Sequence, residues 1–259
     1  MKKTFLVIIL FILLCATPVY AAGPDGVEGI EGCEEHLKYG IPAPKPTLLC
    51  RMGYVLSHNS EKKVALWVTY LLTKEKLDGN HPRSDDFRAD PDLSPGDRSE
   101  LKDYRNSGYD RGHLAPAADM SWDAQAMSES FFLSNMAPQV GPGFNRGIWA
   151  VLEERVRDWT RQRGALYIFT GPIYGPEGHA HIGPNGVSVP NHFYKIVFDP
   201  VLVEVIAFIM PNERLQTIDL PNYITNVDTV EAQTGLDFLS ELEDSVEDLI
   251  ETMIQPALW

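Results

Sequence analysis

The chain has 259 residues, and its 36 acidic against 22 basic side chains give a formal net charge of −14. The hydrophobic fraction of 44% is that of an ordinary globular protein, so a largely disordered chain is excluded. Strong acidity also argues against a histone-like or sequence-reading DNA-binding protein, because such proteins are usually basic.

Residues 1–21 have the pattern of a secretory signal peptide. Lys2 and Lys3 precede an apolar stretch from Phe5 to Leu14, and residues 19–21 (VYA) form a suitable cleavage site. The apolar stretch is shorter than the roughly 20 residues that a membrane span needs, which disfavours the alternative of a retained anchor. We therefore expect a secreted or periplasmic protein with no membrane span after cleavage.

Removal of the signal would leave two cysteines, Cys33 and Cys50. In an oxidising compartment such a pair is expected to form a disulfide, which would contribute around 3 kcal/mol in the chain-entropy model. Two free buried thiols are the alternative. Residues 22–48 are rich in Gly, Pro and acids, so we expect a surface segment there, followed by one folded domain over residues 49–259.

The first predicted elements lead to a short strand near the middle of the chain. Residues 64–72 (VALWVTYLL) are almost continuously apolar and β-branched or aromatic, which predicts a buried strand. Residues 73–108 are polar and interrupted by Pro and Gly, which is typical of a long loop that carries functional side chains. Tyr109–Leu114 is predicted as a short strand, and Asp123–Phe131 as a short helix.

Apolar residues at helical spacing predict the main helix over Asn145–Arg163. Asn145 and Glu153 would then lie about 80° apart around the helix axis and border one groove. Two simpler roles remain open. Asn145 could cap the helix that it begins, and Glu153 could form an ordinary surface pair with Arg157 four residues later.

The remaining elements predict an α+β protein. Strands are expected at Ala165–Thr170, Phe193–Phe198 and Val201–Met210, and helices at Thr225–Leu239 and Ser240–Ile254. This order favours a single domain with a central mixed or antiparallel sheet flanked by helices. The acidic side chains of the last segment are interpreted as a solvated helix face, with an interaction tail as the alternative.

Three motifs with chemically suited side chains occur in a fixed order. They are YDRGHLAP with His113, FFLSNMAPQ with Asn135, and FNRGIWAVLEER with Asn145 and Glu153. A histidine whose pKa is near 6.5 is largely neutral at mild pH and can take a proton from water. An amide oxygen suits a hard cation such as Mg²⁺, which keeps several of its waters. The set predicts metal-assisted cleavage of a phosphodiester bond.

Arginines flank these motifs and would form a local positive patch in the acidic protein: Arg83, Arg88, Arg111, Arg146, Arg155 and Arg157. The planar guanidinium is suited to phosphate. The overall acidity predicts weak, salt-sensitive retention of a nucleic acid.

Together the motifs resemble the DNA/RNA non-specific endonuclease family, whose site is a ββα-metal (His-Me finger) motif. The resemblance extends from about Tyr54 to about Leu242 and includes the segments LWVTYLLT, RSDDFRAD, YDRGHLAP, LSNMAPQ, NRGIWAVLE, TGPIY and TGLDF. It implies that residues 49–259 form a nuclease domain containing this motif. It also implies internal cleavage of DNA and RNA substrates without base readout.

The resemblance further implies roles for individual residues. His113 would be the general base. Asn145 would be the only protein ligand of one divalent cation, Mg²⁺ with Mn²⁺ or another divalent ion as the alternative. Glu153 would not bind the cation directly but would hold a metal-bound water or Asn145 in place.

Phosphate contacts and orientation are assigned by the same resemblance. Arg83 would stabilise charge on the scissile phosphate, with Arg88 as a close competitor, and Arg111 and Arg157 would help to bind phosphate. Asn135 would orient groups of the site, and Asp110, Arg111 and Gly112 would shape the turn that aims the histidine.

Two other classes of function remain alternatives at this point. One is a catalytically silent nucleic-acid-binding or uptake protein on the same fold. The other is a metal-storage or adhesion protein that uses His179, His181 and the acidic C-terminal segment. A homodimer would fit the resemblance, but the sequence identifies no interface.

Overall fold

The computed structural model describes residues 31–42 and 47–259. The predicted signal peptide, residues 1–21, and the beginning of the predicted surface segment lie outside the described residues. In the described part, no helix is both long enough and apolar enough to cross a membrane.

The described strands, in chain order, are β1 (Leu48–Arg51), β2 (Tyr54–Asn59), β3 (Val64–Thr73), β4 (Tyr109–His113), β5 (Met136–Val140), β6 (Ala165–Ile173), β7 (His181–Ile182), β8 (Val187–Ser188), β9 (His192–Asp199), β10 (Glu204–Pro211) and β11 (Ile224–Thr225). Seven of them form the main sheet in the order β1-β2-β3-β6-β9-β10-β11, and neighbouring strands run antiparallel. Strands β4 and β5 pair separately, as do β7 and β8. The predicted α+β class is confirmed, and the main sheet is antiparallel.

The described α-helices are α1 (Leu101–Tyr104), α2 (Ala124–Glu129), α3 (Trp149–Arg163), α4 (Val227–Thr234) and α5 (Asp244–Glu251). Short 3-10 helices occupy Glu34–Leu37, Lys76–Asp78, Ala117–Met120, Leu133–Asn135 and Thr217–Tyr223. The two predicted C-terminal helices are confirmed but shorter than expected. Helix α4 ends because Gly235 takes a left-handed conformation with φ 69°.

Both faces of the main sheet are buried, which explains the composition of its central strands. On β3, Val68 and Tyr70 belong to the core beneath α3, whereas Trp67 belongs to the core beneath α4 and α5. Successive side chains of a strand point to opposite faces, so a strand covered on both sides reads as a continuous apolar run. The predicted strand at residues 64–72 is confirmed for this reason.

The predicted main helix begins four residues later than expected. Helix α3 starts at Trp149, and the preceding segment Gly141–Ile148 contains residues with non-helical dihedral angles. Gly143 has φ 89°, and Gly147 has φ −147° and ψ −114°. The expected 80° relation between Asn145 and Glu153 is therefore wrong, because only Glu153 lies on the helix.

The predicted disulfide is confirmed. Cys33 and Cys50 are bonded, and their Cα atoms lie 5.9 Å apart. The bond attaches the N-terminal segment to β1 beside the 3-10 helix Glu34–Leu37, whose Leu37 side chain is buried in the core beneath α4 and α5.

Candidate active site

Strand β4 and the segment before α3 bring Asp110, Arg111 and Asn145 to the lining of one groove. His113 ends β4 opposite Met136, the first residue of β5. Gly112 lies against the partner strand so closely that an added Cβ would come 2.1 Å from the Gln139 side chain. The glycine of the DRGH motif thus leaves the space that the buried Gln139 side chain occupies.

The imidazole of His113 lies among aromatic rings. Its centroid is 5.0 Å from that of Phe131 and 5.7 Å from that of Phe87. The Nε2 atom is buried and has no hydrogen-bond partner among the described residues. Burial, followed by the positive charges of Arg83 and Arg111, lowers the pKa of His113 to about 3. The ring is therefore neutral at mild pH, with a nitrogen lone pair free to accept a proton.

Asn145 is held by Asp110, the first residue of the DRGH motif. Its Nδ2 donates to Oδ2 of Asp110 over 2.9 Å, and Arg146 Nε contacts the same carboxylate oxygen at 2.9 Å. A carboxylate can only accept hydrogen bonds, so the amide nitrogen faces Asp110 and the amide oxygen remains available. Helix α3 has no side-chain cap, since Ile148 is its N-cap residue. The alternative that Asn145 caps the helix is therefore wrong.

A cavity of about 590 Å³ lies beside these groups. Asp110 and Asn145 line it together with four arginines, Arg83, Arg105, Arg111 and Arg146. Aromatic side chains complete much of its wall: Phe87, Tyr104 and Tyr109. Four guanidinium groups against one carboxylate make this groove locally positive in an acidic protein, as a site for a polyanion requires.

The structure separates Arg83 from its competitor Arg88. Arg83 lines the groove, stacks over the Phe131 ring at 4.7 Å and contacts Asp85 at 2.7 Å. Arg88 is instead bonded to Asp86 and to Ser128. Of the two arginines, Arg83 lines the groove, and its positive charge lowers the pKa of His113.

Glu153 and Arg157 belong to a buried polar network behind the groove. Arg157 donates to Oδ1 of Asp119 over 3.0 Å, and Tyr70 donates to the other oxygen of this carboxylate over 2.8 Å. Burial raises the pKa of Glu153 to about 7, against the nearby positive charge of Lys195. The ion pair of Arg157 is with Asp119, so the simple surface pair with Glu153 is not formed. Neither Arg157 nor Glu153 is among the groove-lining residues.

Asn135 is fully buried and bonds only to backbone groups. Its Oδ1 accepts from Ala115 N, and its Nδ2 donates to the carbonyls of Ala115 and Ser130, each over 2.9 Å. Both polar atoms of its side chain are thus engaged, and two of the three hydrogen bonds go to Ala115, two residues beyond His113. It positions the chain that leaves β4 and does not reach the groove.

Two parts of the network were missed by sequence reasoning. Asp110 was expected only to shape a turn, yet it holds Asn145. Lys195 was given no role in the site, yet it is buried in β9 with Nζ 4.8 Å from the Trp149 ring. A single lysine within the apolar run FYKIVF was the available signal, because buried lysines are rare.

The histidine pair of the β6–β9 connection does not form a metal clip. His179 is bonded to Ser188, and the His179 and His181 rings lie 4.9 Å apart. In the described part of the chain, no third histidine, cysteine or carboxylate joins them in a ligand group. The pair does not support a metal-storage function.

Comparison with known proteins gives a family match over most of the chain. Residues 33–245 match the family model of the DNA/RNA non-specific endonucleases. Nuclease C1 of Cunninghamella echinulata var. echinulata is 39% identical over 227 residues, covering 82% of this chain and 90% of that protein. The mitochondrial endonuclease G of Homo sapiens is 36% identical over 222 residues, covering 80% of this chain and 74% of that protein. The chain is also similar to a solved structure of an EndoG/EndoGI complex, whose subject is the mechanism of EndoG inhibition. The TM-score is 0.75 and the sequence identity is 36%, and the match covers 80% of this chain and 91% of that chain.

The comparisons contradict the prediction of a secreted or periplasmic protein. Similar nucleases of Saccharomyces cerevisiae, Schizosaccharomyces pombe, Homo sapiens and Bos taurus are named as mitochondrial. The prediction relied on the charge and hydropathy of residues 1–21 alone, and those properties report only a targeting pattern.

Proposed function

Because this chain belongs to the DNA/RNA non-specific endonuclease family, we propose that it cleaves internal phosphodiester bonds of DNA and RNA with His113 as general base and Asn145 as the protein ligand of one divalent cation. The observation that carries the proposal is the buried, unpartnered Nε2 of His113 beside a groove lined by four arginines and Asn145. A proton acceptor and an anion-binding surface are the two requirements for attack of water on a phosphodiester.

The donor set around Asn145 fits a hard cation. Its amide nitrogen is engaged by Asp110, which leaves a neutral oxygen as the ligand atom. Mg²⁺ needs few protein ligands because it retains waters, and Mn²⁺ accepts the same donors. When bound, the cation would supply charge stabilisation at the phosphate and help for the leaving oxygen.

His113 would accept the proton of the attacking water. Its pKa in the free protein lies at about 3 because burial and two arginines disfavour the charged ring. A substrate phosphate bound between Arg83 and Arg111 would offset these positive charges and raise that pKa. The base would thus become stronger when the substrate is in place.

The arginines of the groove would bind the backbone of the substrate. Arg83 and Arg111 flank the histidine, and Arg111 is itself fixed by stacking 3.9 Å from the Phe87 ring. Contacts to phosphate carry no sequence information, which agrees with cleavage of many sequences. Arg157 would act indirectly, by holding Asp119 beside Glu153, and Glu153 would in turn orient Asn145 or a water next to it.

The decisive experiment compares wild type with His113→Ala on plasmid DNA and on RNA in the presence of Mg²⁺. Loss of a general base should lower kcat/KM by about 10²–10⁴-fold. His179→Ala is the matched control, because this histidine lies outside the groove and should leave cleavage unchanged. Equal cleavage by His113→Ala and wild type would refute the assignment.

The alternative of a catalytically silent binding protein makes the opposite prediction. Wild type would then retain nucleic acid without cutting it, with or without a chelator. Dimer formation remains a separate prediction, which analytical ultracentrifugation of the purified protein would test.

A further inference from the structure

The C-terminal part of the chain concentrates negative charge. Residues 215–259 contain no Lys, Arg or His, and ten of them are acidic: Asp219, Asp228, Glu231, Asp237, Glu241, Glu243, Asp244, Glu247, Asp248 and Glu251. All of them except Asp219 lie in α4, α5 and the segments next to these helices, which pack on the face of the sheet opposite α3. Much of the net charge therefore lies away from the groove, with no basic partner in the same segment.

Three of these carboxylates converge where α4 begins and α5 ends. One oxygen from each of Asp228, Glu231 and Glu251 lies within 4.8 Å of the other two. Asp228 and Glu231 share a face of α4 because they are three residues apart. The helices are tied at this point by Asn226, whose Nδ2 donates to the Thr252 carbonyl over 3.1 Å. The convergence is thus built into the packing of the two helices.

Glu251 is the unusual member of this group. Its side chain is only 6% exposed, and its Oε1 is buried with no hydrogen-bond partner in the part of the chain that the structure describes. Burying a carboxylate without a partner is costly, since its hydration is lost and nothing replaces it. Burial, and then the negative charges of Glu231 and Glu247, raise the pKa of Glu251 to about 9. Among the described residues, nothing partners this oxygen of Glu251.

We propose that Asp228, Glu231 and Glu251 form a binding site for Ca²⁺ between α4 and α5. Calcium–oxygen distances are about 2.3–2.6 Å, so oxygens on opposite sides of one ion are about 4.6–5.2 Å apart. Three oxygens that lie within 4.8 Å of one another can therefore contact a single Ca²⁺. The ion would supply the partner that Glu251 lacks and would offset the repulsion of the cluster.

Calcium suits these residues better than magnesium does. Ca²⁺ accepts several carboxylates in irregular geometry, whereas Mg²⁺ prefers few protein ligands and a regular shell with several waters. Glu231 also uses Oε1 to accept the Phe238 N–H over 2.7 Å, which fixes its direction but leaves its second oxygen as a ligand. The site is separate in sequence and in chemistry from the amide oxygen of Asn145.

The test measures Ca²⁺ binding and thermal unfolding of the Asn145→Ala variant, so that the groove does not contribute. Titration calorimetry should give one Ca²⁺ per chain with Kd below about 1 mM. Calcium at a hundredfold excess over Kd should raise Tm by about 5–10 °C. The Kd for Mg²⁺, measured in the same way, should be at least about tenfold higher than that for Ca²⁺.

Variants in the same background locate the ion. Asp228→Asn and Glu251→Gln should each weaken Ca²⁺ binding by about tenfold or more. In chelator, Glu251→Gln should unfold at or above the Tm of the unmodified background, because the amide replaces a buried carboxyl group of similar size and carries no charge. Asp248→Asn is the matched control, since Asp248 is exposed on the same helix but lies outside the cluster, and it should change Kd by less than about threefold.

Three results would overturn the proposal. The first is no Ca²⁺ binding up to 10 mM, about tenfold above the upper end of such dissociation constants. The second is unchanged Ca²⁺ binding by both Asp228→Asn and Glu251→Gln, and the third is equal weakening by Asp248→Asn, which would mean diffuse attraction to an acidic surface. If Glu251→Gln does not fold, Asp228→Asn decides, because Asp228 is exposed and its replacement disturbs no core.

Discussion

Replacing Asp110 with alanine should raise the Mg²⁺ concentration that half-saturates cleavage. Asp110 accepts a hydrogen bond of 2.9 Å from the amide nitrogen of Asn145, and it also pairs with Arg146. Without the carboxylate, the amide can rotate and its oxygen no longer faces the groove in one fixed orientation. The variant should therefore weaken cation binding while the groove arginines still bind the substrate.

The size of the effect follows from this contact. A hydrogen bond to a charged group contributes about 1.5–3 kcal/mol, and the lower half of that range applies because Asp110 is 29% exposed. Loss of a group that supports a metal ligand typically costs about 10–100-fold in metal affinity, or about 1.4–2.7 kcal/mol. The two ranges agree. Asp110→Asn keeps an accepting oxygen without the charge, so its half-saturating Mg²⁺ concentration should lie between those of wild type and Asp110→Ala.

The assay is initial-rate nicking of supercoiled plasmid over a wide range of Mg²⁺ concentrations. Asp158→Ala serves as the matched control, because Asp158 is a carboxylate on the surface of α3 that pairs with Arg161 at 2.9 Å and lies outside the groove. Its Mg²⁺ dependence should equal that of wild type. If Asp110→Ala lowered the maximal rate with an unchanged half-saturating Mg²⁺ concentration, the link from Asp110 through Asn145 to the cation would be refuted.

Other predictions concern the base, a buried ion pair and the disulfide. Arg83→Gln removes a positive charge that lowers the pKa of His113, so the acid limb of the pH profile of kcat/KM should move to higher pH. The maximal rate should fall about 10²–10³-fold. An acid limb at the same pH as in wild type would contradict the electrostatic role of Arg83. Because the pKa of His113 is low in the folded protein, only the unfolded chain gains a proton there as the pH falls from about 6.5 towards that pKa. The free energy of unfolding should therefore decrease by at most about 1.4 kcal/mol per pH unit over this range. Arg51→Ala leaves the buried Asp90 without its partner at 2.6 Å and should cost about 3–5 kcal/mol in urea unfolding, whereas a loss under about 1 kcal/mol would show that the pair is not needed. Replacing both disulfide cysteines with serine should cost about 3 kcal/mol by the same measurement, given the separation of 17 residues.

The strands were largely predictable because their signal is local. The run VALWVTYLL predicted β3, and Tyr109–Leu114 predicted the strand that carries His113. Helix α3 was predicted at its centre but not at its start, since the predicted helix included Gly147, whose dihedral angles are not helical. Backbone conformation at glycine has little preference of its own, so packing decides it.

In the candidate site, too, the local motifs were predictable from the sequence and the contacts between distant residues were not. The residues proposed to do the chemistry, such as His113 and Asn145, were named from motifs. Their partners were not: Arg157 was expected at the phosphate but pairs with Asp119, a residue 38 positions earlier. A contact between distant positions leaves no periodic mark on the sequence, so reasoning from one sequence does not find it.

The sequence by itself determined the class of fold, the family resemblance and the side chains that could act on a phosphodiester, because these depend on local patterns and on residue chemistry. Only the tertiary structure decided that Asp110 orients Asn145, that burial and two arginines keep His113 neutral, and that Lys195 lies buried in β9 near Glu153. These properties are electrostatic, and they arise from distances and burial that exist only after the sheet, the hairpin of β4 and β5, and α3 have packed together. The acidic cluster of α4 and α5 illustrates the same point, since the sequence showed the charge but only the packing of the two helices brought three carboxylates within reach of one ion.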